Sequence, residues 1–191
     1  MSAANRHDER YVQVQDAITG AYLQLLSTKS PEEVTVADVA SRAGIVRSTF
    51  YNHYEDLPSL RTDVEDRTIQ HIFSMMEAFR PKGNDDLTRS FFLSLCLYAR
   101  KNAYLSSVLR SPSAPDFITK IIRMFHEYVR GVVKGETDEK KSERRSYGIA
   151  FAIGGAIGFL HKWSNDGFSL EAEQAAGVLS DLFSGGVLPY L

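Results

Sequence analysis

Apolar residues recur along most of this chain at intervals of three and four. In the first long segment Val14, Ile18, Ala21, Tyr22 and Leu25 fall on one stripe with polar residues between them, the pattern of a helix that buries one face. Strand signals are weak: no Asn-Gly turn separates alternating runs, and short apolar stretches sit inside longer helical patterns. The breaks are local and chemical. Lys29-Ser30-Pro31 ends the first segment, and Arg80-Pro81-Lys82-Gly83-Asn84 is the strongest linker candidate. Ser111-Pro112-Ser113-Ala114-Pro115 stops one helix and lets Pro115 open the next. The charged stretch 134–142 reads as an exposed loop, and Gly167 is suited to a left-handed cap. The pattern predicts an all-α protein of about nine helices, at roughly 8–27, 36–43, 47–53, 57–79, 85–101, 103–110, 115–134, 140–165 and 170–184. No internal repeat is present.

Composition narrows the class. The chain has 191 residues, 43% hydrophobic and 24% charged, with a net charge of −2, which excludes wholesale disorder. Cys96 is the one cysteine, so an intrachain disulfide and a multi-cysteine zinc site are excluded, and a reducing compartment is favoured. The polar start MSAANRHDER has no apolar core of a secretory signal. The longest uncharged apolar run, 147–160, has 14 residues including four glycines, short of the roughly 20 that cross a bilayer. A soluble, cytoplasmic protein with no membrane association is expected.

Residues 35–54 read TVADVASRAGIVRSTFYNHY. Thr35 followed by Asp38 is a capping-box variant at the start of a short helix. Val36, Val39 and Ala40 give that helix an apolar face, and small Ala40 lets a neighbour approach. Gly44, four residues on, can take the positive φ of a tight turn, Ile45 plugs the corner, and Phe50 and Tyr54 anchor the next helix. This is helix-turn-helix spacing. An ordinary αα-corner also uses a small residue and a turn glycine. Against that reading, the second helix carries Arg47, Ser48, Thr49, Tyr51, Asn52 and His53 around its one apolar anchor, Phe50. These are side-chain types that contact phosphates and base edges.

Residues 43–60, AGIVRSTFYNHYEDLPSL, resemble the N-terminal signature of the TetR (tetracycline-repressor-like) transcription regulators, and the likeness extends over about 12–60. It implies a helix-turn-helix DNA-binding domain at 1–56 and a helical regulatory and dimerisation domain at 57–191. It also implies a homodimer on a palindromic double-stranded DNA operator and an unknown small-molecule effector that releases it. A repressor is expected, with no cofactor, no metal and no enzymatic activity. Residue by residue, the resemblance has Thr35 holding a phosphate and Arg47, Ser48 and Thr49 facing the major groove. Tyr51 would hold a second phosphate, and Asn52 and His53 would reach backbone or base; Phe50 and Tyr54 would be structural. Arg47 is the best candidate for direct base reading. A looser likeness connects the C-terminal half to activators of dihydroxyacetone kinase expression.

Two positions depart from the family pattern. Val46 stands where a serine or threonine often caps the recognition helix, and Leu57 where a phosphate-binding lysine is common. Residues 1–60 carry five cations against eight carboxylates, a net of −3, yet 40–54 holds two arginines, one histidine and no acid. Weak nonspecific binding with a shallow salt dependence follows, because few cations release counterions.

The remaining residues must supply a sensor, a dimer contact, or both. The run 147–160 is apolar nearly all round and needs covering on every side. Gly148, Ala152, Gly155 and Ala156 allow close approach, and the last helix offers Leu170, Ala175, Val178, Leu179 and Leu182. These two helices are read as half of an intersubunit four-helix bundle; a buried central helix in a monomer is the alternative. Phe92 and Cys96 on one helix, with Phe117, Ile121 and Phe125 on another, are candidate pocket residues, although such stripes also build ordinary cores. The scarcity of charge there favours an apolar or neutral effector.

No P-loop, dinucleotide glycine fingerprint, HExxH or GxSxG is present, and His126-Glu127 and Asp85-Asp86 are adjacent pairs that point to different helix faces. The remaining alternative is a helical protein-interaction module of the same fold without DNA binding, which the net charge and Leu57 favour.

Overall fold

The computed structural model describes residues 3–78, 85–110, 115–132 and 139–186, and among these no strand occurs. The helices are α1 (Ala3–Leu25), α2 (Val36–Ala43), α3 (Arg47–Tyr51), α4 (Leu57–Ala78), α5 (Asp85–Lys101), α6 (Ala103–Arg110), α7 (Pro115–Val132), α8 (Glu139–Asn165) and α9 (Ala172–Gly186). The architecture is all-α, as the periodicity predicts, with ends displaced by a few residues. α3 is shorter than expected because Asn52 and His53 close it with turn bonds, the His53 N–H donating to the Phe50 carbonyl at 2.9 Å. The linker predicted at 80–84, the stop at 111–114 and most of the predicted loop at 134–142 lie outside the described residues.

The chain divides into two compact units, Met1–Thr68 and Ile69–Leu191, and α4 contributes residues to both. In the first unit, α1 buries Ile18, Ala21, Tyr22 and Leu25, the stripe seen in the sequence. α2 packs against α1 and α3 against α2. Val39, Phe50 and Leu60 are fully buried between them. Each such side chain contributes about 1.5–3 kcal/mol relative to exposure. α4 starts on a reciprocal cap: the Ser59 N–H donates to the Asp56 carboxylate at 2.8 Å and the Asp56 N–H to the Ser59 hydroxyl at 3.2 Å.

In the second unit, α5 packs along α9, and α8 is flanked by α6 and α7. α8 is apolar all round in sequence but one-sided in structure, burying Ile149, Ile153, Leu160 and Trp163. The α8–α9 turn is fixed by Gly167 at φ 69° and Phe168 at φ 58°. Phe168 tolerates that left-handed conformation because its ring sits edge-on to Trp163, with centroids 4.8 Å apart, and its N–H donates to the Trp163 carbonyl at 2.8 Å. The Trp163 indole N–H in turn donates to the Leu170 carbonyl at 3.0 Å.

Candidate nucleic-acid interface and effector cavity

The helix-turn-helix is assembled from caps and one turn. The Thr35 hydroxyl accepts from the Asp38 N–H at 3.2 Å, and the Asp38 carboxylate accepts from the Thr35 N–H at 3.0 Å, a complete capping box. Lys29 pairs with Asp38 at 3.0 Å. The Thr35 hydroxyl, then Lys29, hold the Asp38 carboxyl down to about 2. α2 ends on Gly44 in the left-handed region at φ 69°, where its N–H and that of Ile45 close on the last α2 carbonyls. α3 follows without a side-chain cap, since Val46 stands at its N-cap position. That valine is 66% exposed, so it neither caps nor packs.

Phe50 is fully buried and Tyr54 nearly so. Around that anchor the remaining side chains turn outward: Arg47, Ser48, Tyr51 and Asn52 are exposed, Thr49 is half-buried, and Thr35 is exposed at the start of α2. Arg47 forms no ion pair among the described residues. Tyr51 meets Phe50 edge-on, with centroids 5.6 Å apart, so its ring is steadied while its hydroxyl end is free to reach outward. His53 is placed differently from its neighbours. Its ring stacks on Tyr11 of α1 with centroids 4.1 Å apart, and its Nδ1 is buried without a hydrogen-bond partner. Burial lowers its pKa below the usual imidazole value.

A polar network ties this segment to α1 and α4. The Tyr54 hydroxyl donates to Asp63, Arg67 donates to Asp63 at 3.1 Å and to Asp16 at 3.0 Å, and the Gln15 amide reaches Asp63 at 3.5 Å. Burial and the neighbouring Asp63 carboxylate both push the Tyr54 phenol up. Tyr11, Asp63 and Arg67 were not singled out from sequence. Tyr11 meets His53 and Arg67 meets Asp16 across long stretches of chain that spacing does not reveal, whereas the Asp63–Arg67 pair, four residues apart on α4, follows a spacing the sequence does show.

The second unit holds a cavity of about 190 Å³. Phe92, Phe117, Ile121 and Phe125 from the sequence-derived set line it, joined by Ala152 and Ala156 of α8. Cys96 does not. It is fully buried away from the lining, and burial pushes its thiol up to about 12. The reason is phase. Thr88, Phe91, Phe92 and Leu95 form the lining stripe of α5, and Cys96 lies about a quarter-turn round the helix from its centre at 100° per residue. The cavity wall is apolar, with the Met76 thioether, except for the Thr88 and Tyr128 hydroxyls and backbone; the Tyr128 hydroxyl donates to the Met76 carbonyl at 3.3 Å.

The outer face of α8 presents Tyr147 and Phe151, 70% and 72% exposed, with Ala150, Gly154, Gly155 and Gly158 exposed beside them. Ala152 and Ala156, read from sequence as close-approach residues, face the cavity instead. On α9, Ala175 and Leu179 are buried while Val178 and Leu182 are exposed.

The profile described as "Bacterial regulatory proteins, tetR family" matches residues 18–56. The TetR-type profile "Transcriptional regulator C-terminal region" matches residues 86–185. No curated protein matches the sequence significantly. Among solved structures, a TetR-family transcriptional regulator from Streptomyces coelicolor is similar at 18% identity and TM-score 0.69, over 90% of this chain and 81% of that one. FadR from Bacillus subtilis, solved in complex with stearoyl-CoA, is similar at 17% identity and TM-score 0.63, over 93% and 99%. The dihydroxyacetone kinase operon activator DhaS is similar at 14% identity and TM-score 0.64, over 91% and 96%. These likenesses concern the fold. With the C-terminal profile alone covering more than half of its length, the chain belongs to the TetR family of bacterial transcriptional regulators.

Proposed function

We propose that the protein is a cytoplasmic repressor that binds a palindromic operator as a homodimer and is released by a small-molecule effector. The observation that carries this reading is the arrangement on α3: Arg47, Ser48, Tyr51 and Asn52 exposed around the fully buried Phe50. Polar residues face outward on most surface helices; what favours a nucleic-acid partner here is an exposed Arg47 with no ion pair among the described residues, on the second helix of a helix-turn-helix with no acid over 40–54. Arg47 reads a base edge, Ser48 and Thr49 stand beside it in the major groove, and Tyr51 holds a phosphate; Thr35 holds one only by giving up a bond to Asp38, whose carboxylate takes both its N–H and its hydroxyl. Asn52 contributes at the far end of α3. His53 contributes less, because its stacking on Tyr11 leaves only Nε2 to offer.

The DNA-binding function is assigned to 1–56 and regulation to 57–191. The exposed apolar stripe of α8, with Val178 and Leu182 of α9, supports a four-helix dimer contact with a second copy. Two-fold symmetry then sets two recognition helices about 34 Å apart, one turn of duplex. α4 runs from Leu60 and Val64, in the core of the first unit, to Ile72 and Met76, on the cavity wall. An effector that favours one arrangement of the regulatory helices shifts the dimer away from the spacing that spans the operator.

Selection of bound fragments from a random-sequence DNA pool tests the reading. A palindromic consensus is the expected result. Failure to enrich any sequence at low salt supports the alternative, an interaction module of the same fold, which the net −3 of residues 1–60 and the absence of a lysine at Leu57 favour. Transcription from a promoter carrying the consensus then separates repression from activation.

A further inference from the structure

The cavity of the second unit is built from rings and methyl groups. Phe91, Phe92, Phe117, Phe125 and Phe183 contribute to its wall, and no Lys, Arg, His, Asp or Glu does. Its side-chain polar groups are two hydroxyls, of Thr88 and Tyr128. On α8 the lining alternates large and small, Ile153, Ile157 and Leu160 with Ala152 and Ala156, and a larger side chain at either alanine would enter the space. The cavity is partly open to solvent, so its apolar wall meets water when empty, a cost that an apolar occupant removes.

The volume sets a size. An apolar cavity of roughly 150 Å³ stays dry and takes up benzene; at about 190 Å³ this one suits a ring with a short substituent, about eight non-hydrogen atoms by that comparison. The wall sets the charge. A carboxylate or phosphate inside would lose its hydration and meet no cation, a penalty that hydroxyls alone do not offset. The stearoyl-CoA held by the structurally similar FadR is therefore the wrong kind of ligand here, both for its long chain and for its phosphates.

We propose, resting on the effector role argued above, that the effector is a small, uncharged, mainly apolar molecule. It is built on a single aromatic or alicyclic ring and carries at most one hydroxyl or carbonyl, set against Thr88 or Tyr128. The cavity rejects anions of the same size.

Matched probes test this on the full-length protein: 2-phenylethanol and indole against phenylacetate and octanoate, with stearoyl-CoA as a further arm, by calorimetric titration and thermal melting at pH 7.5. At ten times its Kd, a neutral probe is expected to raise the Tm by roughly 3–6 °C. Phenylacetate is expected to bind at least ~100-fold more weakly than 2-phenylethanol. Ala156→Leu, or Ala152→Leu should the first melt abnormally, fills the cavity and should abolish binding of the neutral probes. Thr88→Val should weaken 2-phenylethanol and leave ethylbenzene unchanged if that hydroxyl is the partner; if instead it is Tyr128, Tyr128→Phe produces the same split. Anions binding as well as their neutral partners, stearoyl-CoA binding while the neutral probes are silent, or no probe binding at all would overturn the proposal. Neutral probes that bind but never release selected operator DNA would support the cavity's chemistry and overturn the effector reading on which it rests.

Discussion

The hydroxyl of Tyr54 donates to the carboxylate of Asp63, joining the segment that follows the recognition helix to α4. Arg67 meets the same carboxylate at 3.1 Å and extends the link to Asp16 of α1. Beside the buried Phe50 and Tyr54 rings, one shared acceptor therefore ties the end of the helix-turn-helix to α1 and α4. Tyr54→Phe keeps the buried ring and removes the donor, and is expected to cost about 1–2 kcal/mol, read as a lower denaturation midpoint with an unchanged slope. An unchanged midpoint would mean that the network is solvated and adds nothing.

Val46 occupies the N-cap of α3 with its side chain exposed and without a hydrogen bond to the helix. Val46→Ser supplies the missing acceptor and sacrifices almost no packing. It is expected to stabilise the first unit by about 0.5–1 kcal/mol, measured by chemical denaturation. Destabilisation would show that the valine has a packing role.

The Asp38 carboxyl titrates at about 2, against an ordinary value of 3.8. Its folded-state pKa is depressed, so the stability it provides is whole above the ordinary value and is lost as the pH falls from there through about 2. A carbon-detected NMR titration should find it well below the ordinary aspartate value. Thr35→Val, which removes the hydroxyl that contributes most, should move it upward. A titration near 3.8 in the native protein would contradict the capping box.

Most of the fold was legible because its determinants are local. Pro115 opens α7 and Gly167 turns the chain after α8 by their own backbone chemistry, and the apolar period of α1 fixes which face is inside. Gly44 was legible for the same reason: only a residue without a Cβ sits easily at φ 69°. What escaped depends on distant partners or on phase. Cys96 follows Phe92 by one turn yet falls outside the cavity stripe. The run 147–160 is apolar on every side, so its sequence does not say that Ala152 and Ala156 face a cavity while Phe151 and Gly154 face outward. Nor does spacing disclose that His53 stacks on Tyr11, which leaves it half-buried among exposed neighbours.

Phe151 is 72% exposed and Leu182 62% exposed, so neither supports the core of its own chain. Phe151→Glu and Leu182→Glu are expected to leave the helical content intact and to shift the species in light scattering from dimer to monomer, with loss of operator binding. A wild-type protein that is monomeric at micromolar concentration would remove the basis for a two-fold operator.

The central claim is that α3 lies in the major groove of a duplex with Arg47 on a base edge. It is tested most directly by the affinity of the selected operator for the wild-type protein, Arg47→Ala and Tyr51→Ala, across a salt series. Arg47→Ala is expected to weaken binding roughly 10- to 100-fold and to relax preference at a single base pair in each half-site. Tyr51→Ala should weaken binding evenly across sequences. The wild-type salt slope should be shallow, because few cations meet the phosphates. Undiminished occupancy by both variants, with both folded and dimeric, would contradict the account.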